Sequence, residues 1–182
     1  LTCRYYLTVI TEKEAGMARR GTLREKISLF TVLLVMSITF SFLYAANIRG
    51  VNLMDLTLVD LDGKKVRLDQ LAGNKPLLLY FWATWCGPCR KTQPKVAALA
   101  KKYKDRVKVV GINVGGLDSP KDIKKYRSRH RITYTMLIDH KDEAVKAYSV
   151  SAIPLIILVD ETGKILFRHN EPPANLEKYL PG

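Results

Sequence analysis

Leu77-Leu78-Leu79-Tyr80-Phe81-Trp82 runs straight into Ala83-Thr84-Trp85-Cys86-Gly87-Pro88-Cys89-Arg90, and this junction decides the fold. Residues 77–82 are continuously apolar with no polar alternation, the pattern of a strand buried on both faces. Residues 90–103 read as a helix, with Pro94 expected to kink it. Two thiols separated by two residues can close a small disulfide ring and reopen it. Their place between a strand and a helix turns a weak pattern into a candidate redox site. A helix start offers unpaired N–H groups and the positive end of the helix dipole, and both favour a thiolate over a thiol. Cys86 is therefore expected to be the exposed nucleophile at the lip of the helix. Cys89, one turn in, is expected to be the shielded resolving thiol.

Working outward, strand-like and helix-like segments alternate. Residues 56–59 and 65–68 read as strands joined at Asp62-Gly63, a strong hairpin turn. Residues 107–114, mostly Val and Ile, read as the next strand, broken by Gly115-Gly116. Ser119-Pro120-Lys121-Asp122 has the form of a helix start, with a serine cap, a proline in the first turn and an acid at capping-box spacing. Residues 133–138 read as a short strand and 143–148 as a short helix. Residues 155–159 and 164–168 form a hairpin around Glu161-Thr162-Gly163, and 174–180 a closing helix. This order specifies a mixed α/β sheet.

Residues 27–46, ISLFTVLLVMSITFSFLYAA, carry no charge and follow Arg19, Arg20, Arg24 and Lys26. About 20 apolar residues suffice to cross a bilayer, and flanking positive charge stays in the cytoplasm. The expected organisation is a cytoplasmic segment over 1–26, one transmembrane anchor over 27–46 and an extracytoplasmic domain over 47–182. A cleaved signal peptide is the alternative for 27–46. Such a peptide usually has a shorter apolar core, about 7–15 residues, and a cut after Ala46 would put Tyr44 where a small residue is preferred. Met17 is an alternative start of the chain. Cys3 precedes it and has no partner at useful spacing.

With 30 basic and 17 acidic side chains the net charge is +13. A basic surface can serve nucleic acid, acidic partners or anionic membrane. No nucleic-acid motif accompanies it, so no nucleic acid is expected. Lys121, Lys124, Lys125, Arg127, Arg129 and Arg131 read as the polar face of a helix, serving solubility and attraction to the membrane surface. His130, His140 and His169 are scattered, with no metal-ligand spacing to one another or to the cysteines, so no metal site is expected. Two soft thiolates can hold Cu(I), which makes a copper-handling module the rival reading from another class.

The order of elements resembles the thioredoxin fold. From about residue 51 to 180 it is similar to the membrane-anchored TlpA/ResA-like thiol–disulfide oxidoreductases of bacteria. Four features carry the resemblance: residues 81–89 with Pro94, the hairpin at Asp62-Gly63, the segment 115–138 inserted after Val109-Val110-Gly111-Ile112-Asn113, and Tyr148-Ser149-Val150-Ser151-Ala152-Ile153-Pro154. It implies a thioredoxin fold with an N-terminal β-hairpin and an inserted helix-strand segment, preceded here by one N-terminal transmembrane helix. It implies that Cys86 attacks and Cys89 resolves, and that Trp85, Gly87 and Pro88 border the substrate. Ile153 and Pro154, a cis-proline in the family, would present their backbone to it; X-Pro is the only common peptide bond whose cis form costs little.

Related reductases often keep an acid beneath the second cysteine, at the position of Tyr80 or of Thr92, and neither is acidic here. Acid-bearing members point to cytochrome c biogenesis, whereas this strand with Tyr80 and Thr92 is similar to suppressor-of-copper-sensitivity protein D. Peroxiredoxins place a threonine three residues before the reactive cysteine, where Ala83 stands. Gly87-Pro88 and Ile153 are those of reducing thioredoxins, which implies a potential nearer about −270 mV than the oxidase end at about −120 mV. The expected function is a monomeric, membrane-tethered reductase of protein disulfides on the periplasmic side, using no cofactor and fed by a membrane thiol relay. A disulfide oxidase or isomerase is the rival within the class.

Overall fold

The computed structural model describes residues 35–36 and 53–180. The chain divides into two units, Leu1–Gly50 and Val51–Gly182. In the first, Val35 and Met36 are helical. The rest of the expected anchor, with Cys3 and Met17, lies outside the described residues. Among the described residues no helix is long and apolar enough to cross a membrane.

The second unit is built around β3 (Leu77–Trp82), all six residues of which are buried. Side chains alternate across a strand. Leu78, Tyr80 and Trp82 therefore enter one core with Cys89, Val96, Ile123 and Tyr126. Leu77, Leu79 and Phe81 enter the other with Leu68, Ala144 and Tyr148. A strand with an apolar core on each side has no face to spare for polar residues. β4 (Lys108–Asn113) pairs parallel with β3, and β5 (Thr135–Ile138) parallel with β4. On the other side β6 (Leu155–Val159) runs antiparallel to β3 and pairs with β7 (Ile165–His169). β1 (Thr57–Asp60) and β2 (Lys65–Arg67) form the N-terminal hairpin, with β1 antiparallel to β5. The sheet order is β2-β1-β5-β4-β3-β6-β7.

Both edge hairpins turn by one device. Asp60 Oδ1 accepts from the N–H groups of Asp62 and Lys64 at 2.9 and 2.8 Å, and Asp160 Oδ1 from those of Thr162 and Lys164, each at 2.9 Å. Gly63 and Gly163 supply the positive φ, 84° and 89°, that this tight reversal needs.

Helix α1 (Leu68–Ala72) corrects the expected extension of a strand through Leu68. Leu68 and Ala72, four residues apart, are both buried, a helical spacing too short to read as periodic. α2 (Gly87–Lys102) runs through Pro94 and begins three residues earlier than expected, because Cys86 itself is the N-cap. α3 (Pro120–Arg129) starts at the expected Ser119, whose hydroxyl and Asp122 form the complete capping box. α4 is Glu143–Ala147. The expected closing helix is a single 3-10 turn, Leu176–Tyr179. Pro172 and Pro173 precede it and Pro181 follows; a residue before proline is pushed out of the helical region, and Leu180 is extended (φ −97°, ψ 142°).

Candidate active site

β3 ends at the buried Trp82, and three loop residues later Cys86 caps α2. The structure joins Cys86 and Cys89 in a disulfide with S–S 2.03 Å. The Cys89 N–H donates to Cys86 Sγ at 3.1 Å, so an unpaired donor of the first helical turn is aimed at that sulfur. Cys86 is 4% exposed and Cys89 fully buried. In the disulfide form even the outer sulfur is only narrowly accessible, less open than an exposed nucleophile at the lip.

The expected substrate-binding residues surround that opening. The Ile153–Pro154 bond is cis, and the Ile153 carbonyl oxygen stands 3.8 Å from Cys86 Sγ. Pro88 is exposed, and Gly87, Ile153 and Pro154 are half-buried. Trp85 is 52% exposed and leans over Gly115, where a Cβ would lie 3.3 Å from its ring. Leu117, also exposed, belongs to the loop that carries Gly115.

Asp118, a residue not singled out from sequence, holds the loop in front of Cys86. Its buried carboxylate accepts from the Thr84 N–H at 2.8 Å, from the Thr84 hydroxyl, and from Asn113 Nδ2 at 2.7 Å. The end of β4 is thereby tied to the residue two before Cys86. A buried polar side chain at the end of an apolar strand, Asn113, was the available signal.

Beneath Cys89 the groups are hydroxyls. The Tyr80 hydroxyl donates to the Cys89 carbonyl oxygen at 2.8 Å. Burial pushes the Tyr80 phenol far above its usual range, so it cannot take a proton from a thiol at neutral pH. Thr92 is buried one turn beyond Cys89, and its hydroxyl donates to Glu171 Oε1 at a long 3.5 Å. Glu171 arrives from the segment after β7 and was also missed from sequence. The Lys95 ammonium, 2.7 Å from Glu171 Oε2, holds that carboxyl below the usual range, so it stays ionised and is a weak base.

The three histidines stay apart from the cysteines. His130 packs on Tyr126 with ring centroids 4.2 Å apart, His140 is exposed, and His169 Nδ1 accepts from the Glu171 N–H at 3.1 Å. Among the described residues no three His, Cys, Asp or Glu side chains are grouped to hold a metal ion.

Residues 50–168 match the AhpC/TSA family. The chain belongs to that family. Within it, the chain is 36% identical over 113 residues to the thiol-disulfide oxidoreductase ResA of Geobacillus thermodenitrificans, covering 61% of this chain and 63% of that protein. It is 31% identical over 131 residues to ResA of Bacillus thuringiensis, covering 69% and 73%. A thiol-disulfide oxidoreductase from Bacteroides fragilis has the same fold, with a TM-score of 0.60 and 26% identity over 68% of this chain and 93% of that one. This AhpC/TSA member thus has a thioredoxin-like α/β fold and falls among the ResA-like thiol–disulfide oxidoreductases.

Proposed function

We propose that this domain reduces disulfides of other proteins outside the cytoplasmic membrane, tethered by residues 27–46. The observation that carries the chemistry is the Cys89 N–H on Cys86 Sγ, combined with complete burial of Cys89. In the dithiol form a donor so placed stabilises a Cys86 thiolate. That thiolate attacks one sulfur of a substrate disulfide, and the other leaves as a thiolate. Cys89 then gives up its proton and attacks Cys86 Sγ. The second substrate sulfur departs, and the bond seen between Cys86 and Cys89 closes. Two electrons have moved from the pair to the substrate, and a membrane thiol relay restores the dithiol. The uncharged run after four basic residues supports the tether, and Gly87-Pro88 with Ile153 supports the reducing direction.

The test is trapping in cells. Cys89→Ser stalls the reaction and leaves substrates disulfide-linked to Cys86, whereas Cys86→Ser traps none. A membrane-impermeant thiol reagent should reach Cys86 in intact cells stripped of their outer layers. A soluble mature form beginning near Asn47 would remove the tether. A wild-type protein that exchanges no disulfide but binds Cu(I) tightly through the same pair would replace the enzyme by a metal-binding module.

A further inference from the structure

The basic residues of α3 are not equivalent. On one side Lys124 Nζ lies 2.6 Å from Asp62 Oδ1, and Arg127 donates to the Ile132 carbonyl oxygen at 3.4 Å. Both line a depression against the Asp62 turn. On the other side Lys125 and Arg129 face a cleft of about 300 Å³ whose far wall is Thr84 and Arg90. That wall is the start of α2, and the Arg90 guanidinium reaches within 3.8 Å of where a Gly87 Cβ would stand. Among the described residues, Arg90, Lys125 and Arg129 make no ion pair within 4.0 Å. Asp122 is the one acid in the cleft, and Ser119 occupies it, with the hydroxyl at 2.5 Å and the N–H at 3.3 Å.

Two further facts set this cleft apart from a merely solvated face. Lys125 and Arg129 are four residues apart on one helix, a like-charge spacing that disfavours the helix unless an anion lies between them. Tyr126 lines the same cleft, is only 7% exposed, and its hydroxyl has no hydrogen-bond partner among the described residues. Tyr126 thus gives the cleft an apolar floor, continuous with the core, beneath three cations that make no ion pair.

We propose that the cleft between α2 and α3, formed by Thr84, Arg90, Lys125, Tyr126 and Arg129, docks an acidic segment of the substrate protein close to its exchangeable cysteine. This rests on the exchange chemistry above and names the substrate class. A polypeptide fits better than a small anion because the cations are spread over two helices. Lys125 and Arg129 alone are about 6 Å apart along the α3 axis, and Arg90 lies across the cleft. Several carboxylates on one strand of chain answer all three. Thr84 precedes Cys86 by two residues and Arg90 follows it by four, so the cleft borders the helix start that carries the reacting sulfur. The gain is in the encounter rate, and salt screens it.

The experiment uses the reduced full chain and three peptide disulfides with acidic, neutral or basic residues flanking the same cysteine. At low salt the acidic peptide is expected to react about tenfold faster than the basic one, and the gap closes at about 0.5 M salt. Lys125→Glu with Arg129→Glu inverts the order, so the basic peptide becomes the faster, and Lys125→Gln with Arg129→Gln erases it. Equal rates for the three peptides in the wild type, or an order unchanged in both double variants, overturns the docking site while leaving the exchange reaction intact. Exchange with none of the peptides rejects the exchange reading and the docking site with it. Glutathione disulfide showing the same dependence on Lys125 and Arg129 as the acidic peptide assigns the cleft to a small anion and overturns the proposal. So does loss of binding to anionic phosphatidylserine vesicles in the glutamate variant with peptide order unchanged, which assigns the cleft to a membrane surface.

Discussion

Cys86 and Cys89 are bonded to each other, yet their surroundings differ in kind. Cys86 Sγ receives a helix-start N–H at 3.1 Å, and the Arg90 guanidinium passes over the adjacent Gly87. Both favour a negative sulfur. Cys89 has no exposed surface and lies above Thr92 and Tyr80, two hydroxyls that do not accept a proton at neutral pH. The nearest carboxylate in that network, Glu171, is ion-paired with Lys95, which keeps it a weak base, and it reaches only Thr92. One helix start thus makes the first sulfur reactive and leaves the second without a base. In the proposed reaction the opening of a substrate disulfide is therefore expected to be the faster step and release of the product the slower one.

The largest effect is expected at Asp118, which belongs to the Cys86 side alone. Asp118→Ala removes the acceptor for the Thr84 N–H and hydroxyl and for Asn113 Nδ2, leaving donors without partners. Hydrogen bonds to a charged group are worth about 1.5–3 kcal/mol each. A loss of about 3 kcal/mol in urea unfolding is therefore expected, because water rescues part of the half-buried Thr84. In stopped-flow exchange the attack by Cys86 should slow more than resolution by Cys89. Equal slowing of both steps would show that Asp118 supports the domain generally and not one side of the pair.

A smaller effect, in the opposite direction, is expected at Thr92. Thr92→Glu puts a carboxylate one turn from Cys89 and beside Glu171. Two neighbouring carboxylates raise the pKa of one of them, bringing a base closer to neutrality. Resolution of the mixed disulfide should gain about tenfold at pH 7, with no change in the initial attack. The sign with pH follows from Cys89. As pH rises the thiol ionises unaided, so the gain shrinks on the alkaline side. An unchanged resolution rate across that range, in a folded variant, would show that proton loss at Cys89 is not limiting.

The features legible in the sequence are those set by neighbours along the chain. β3 was readable because both its faces are apolar. The Ser119 cap was readable because serine, proline and acid occupy fixed offsets, and the two hairpin turns because Gly63 and Gly163 follow polar turn residues. The pair Cys86 and Cys89 was readable from its junction. What escaped depends on which distant segments fold together. Asp118 meets Thr84 across 34 residues and Glu171 meets Thr92 across 79. The division of α3 into paired and unpaired cations depends on Asp62 and Arg90, which lie on other elements. α1 and the closing turn escaped for a local reason. Each is too short for periodicity to distinguish it from strand or from longer helix.

The contrast between the two sulfurs is tested most directly by alkylating the reduced protein over a range of pH and locating the label by mass spectrometry. Cys86 should be modified much faster than Cys89 near neutral pH, and its rate should already be near its plateau there because the thiolate is stabilised. Cys89 labelling should rise only on the alkaline side. Equal rates at neutral pH, or faster labelling of Cys89, would contradict the assignment of attack to Cys86 and resolution to Cys89.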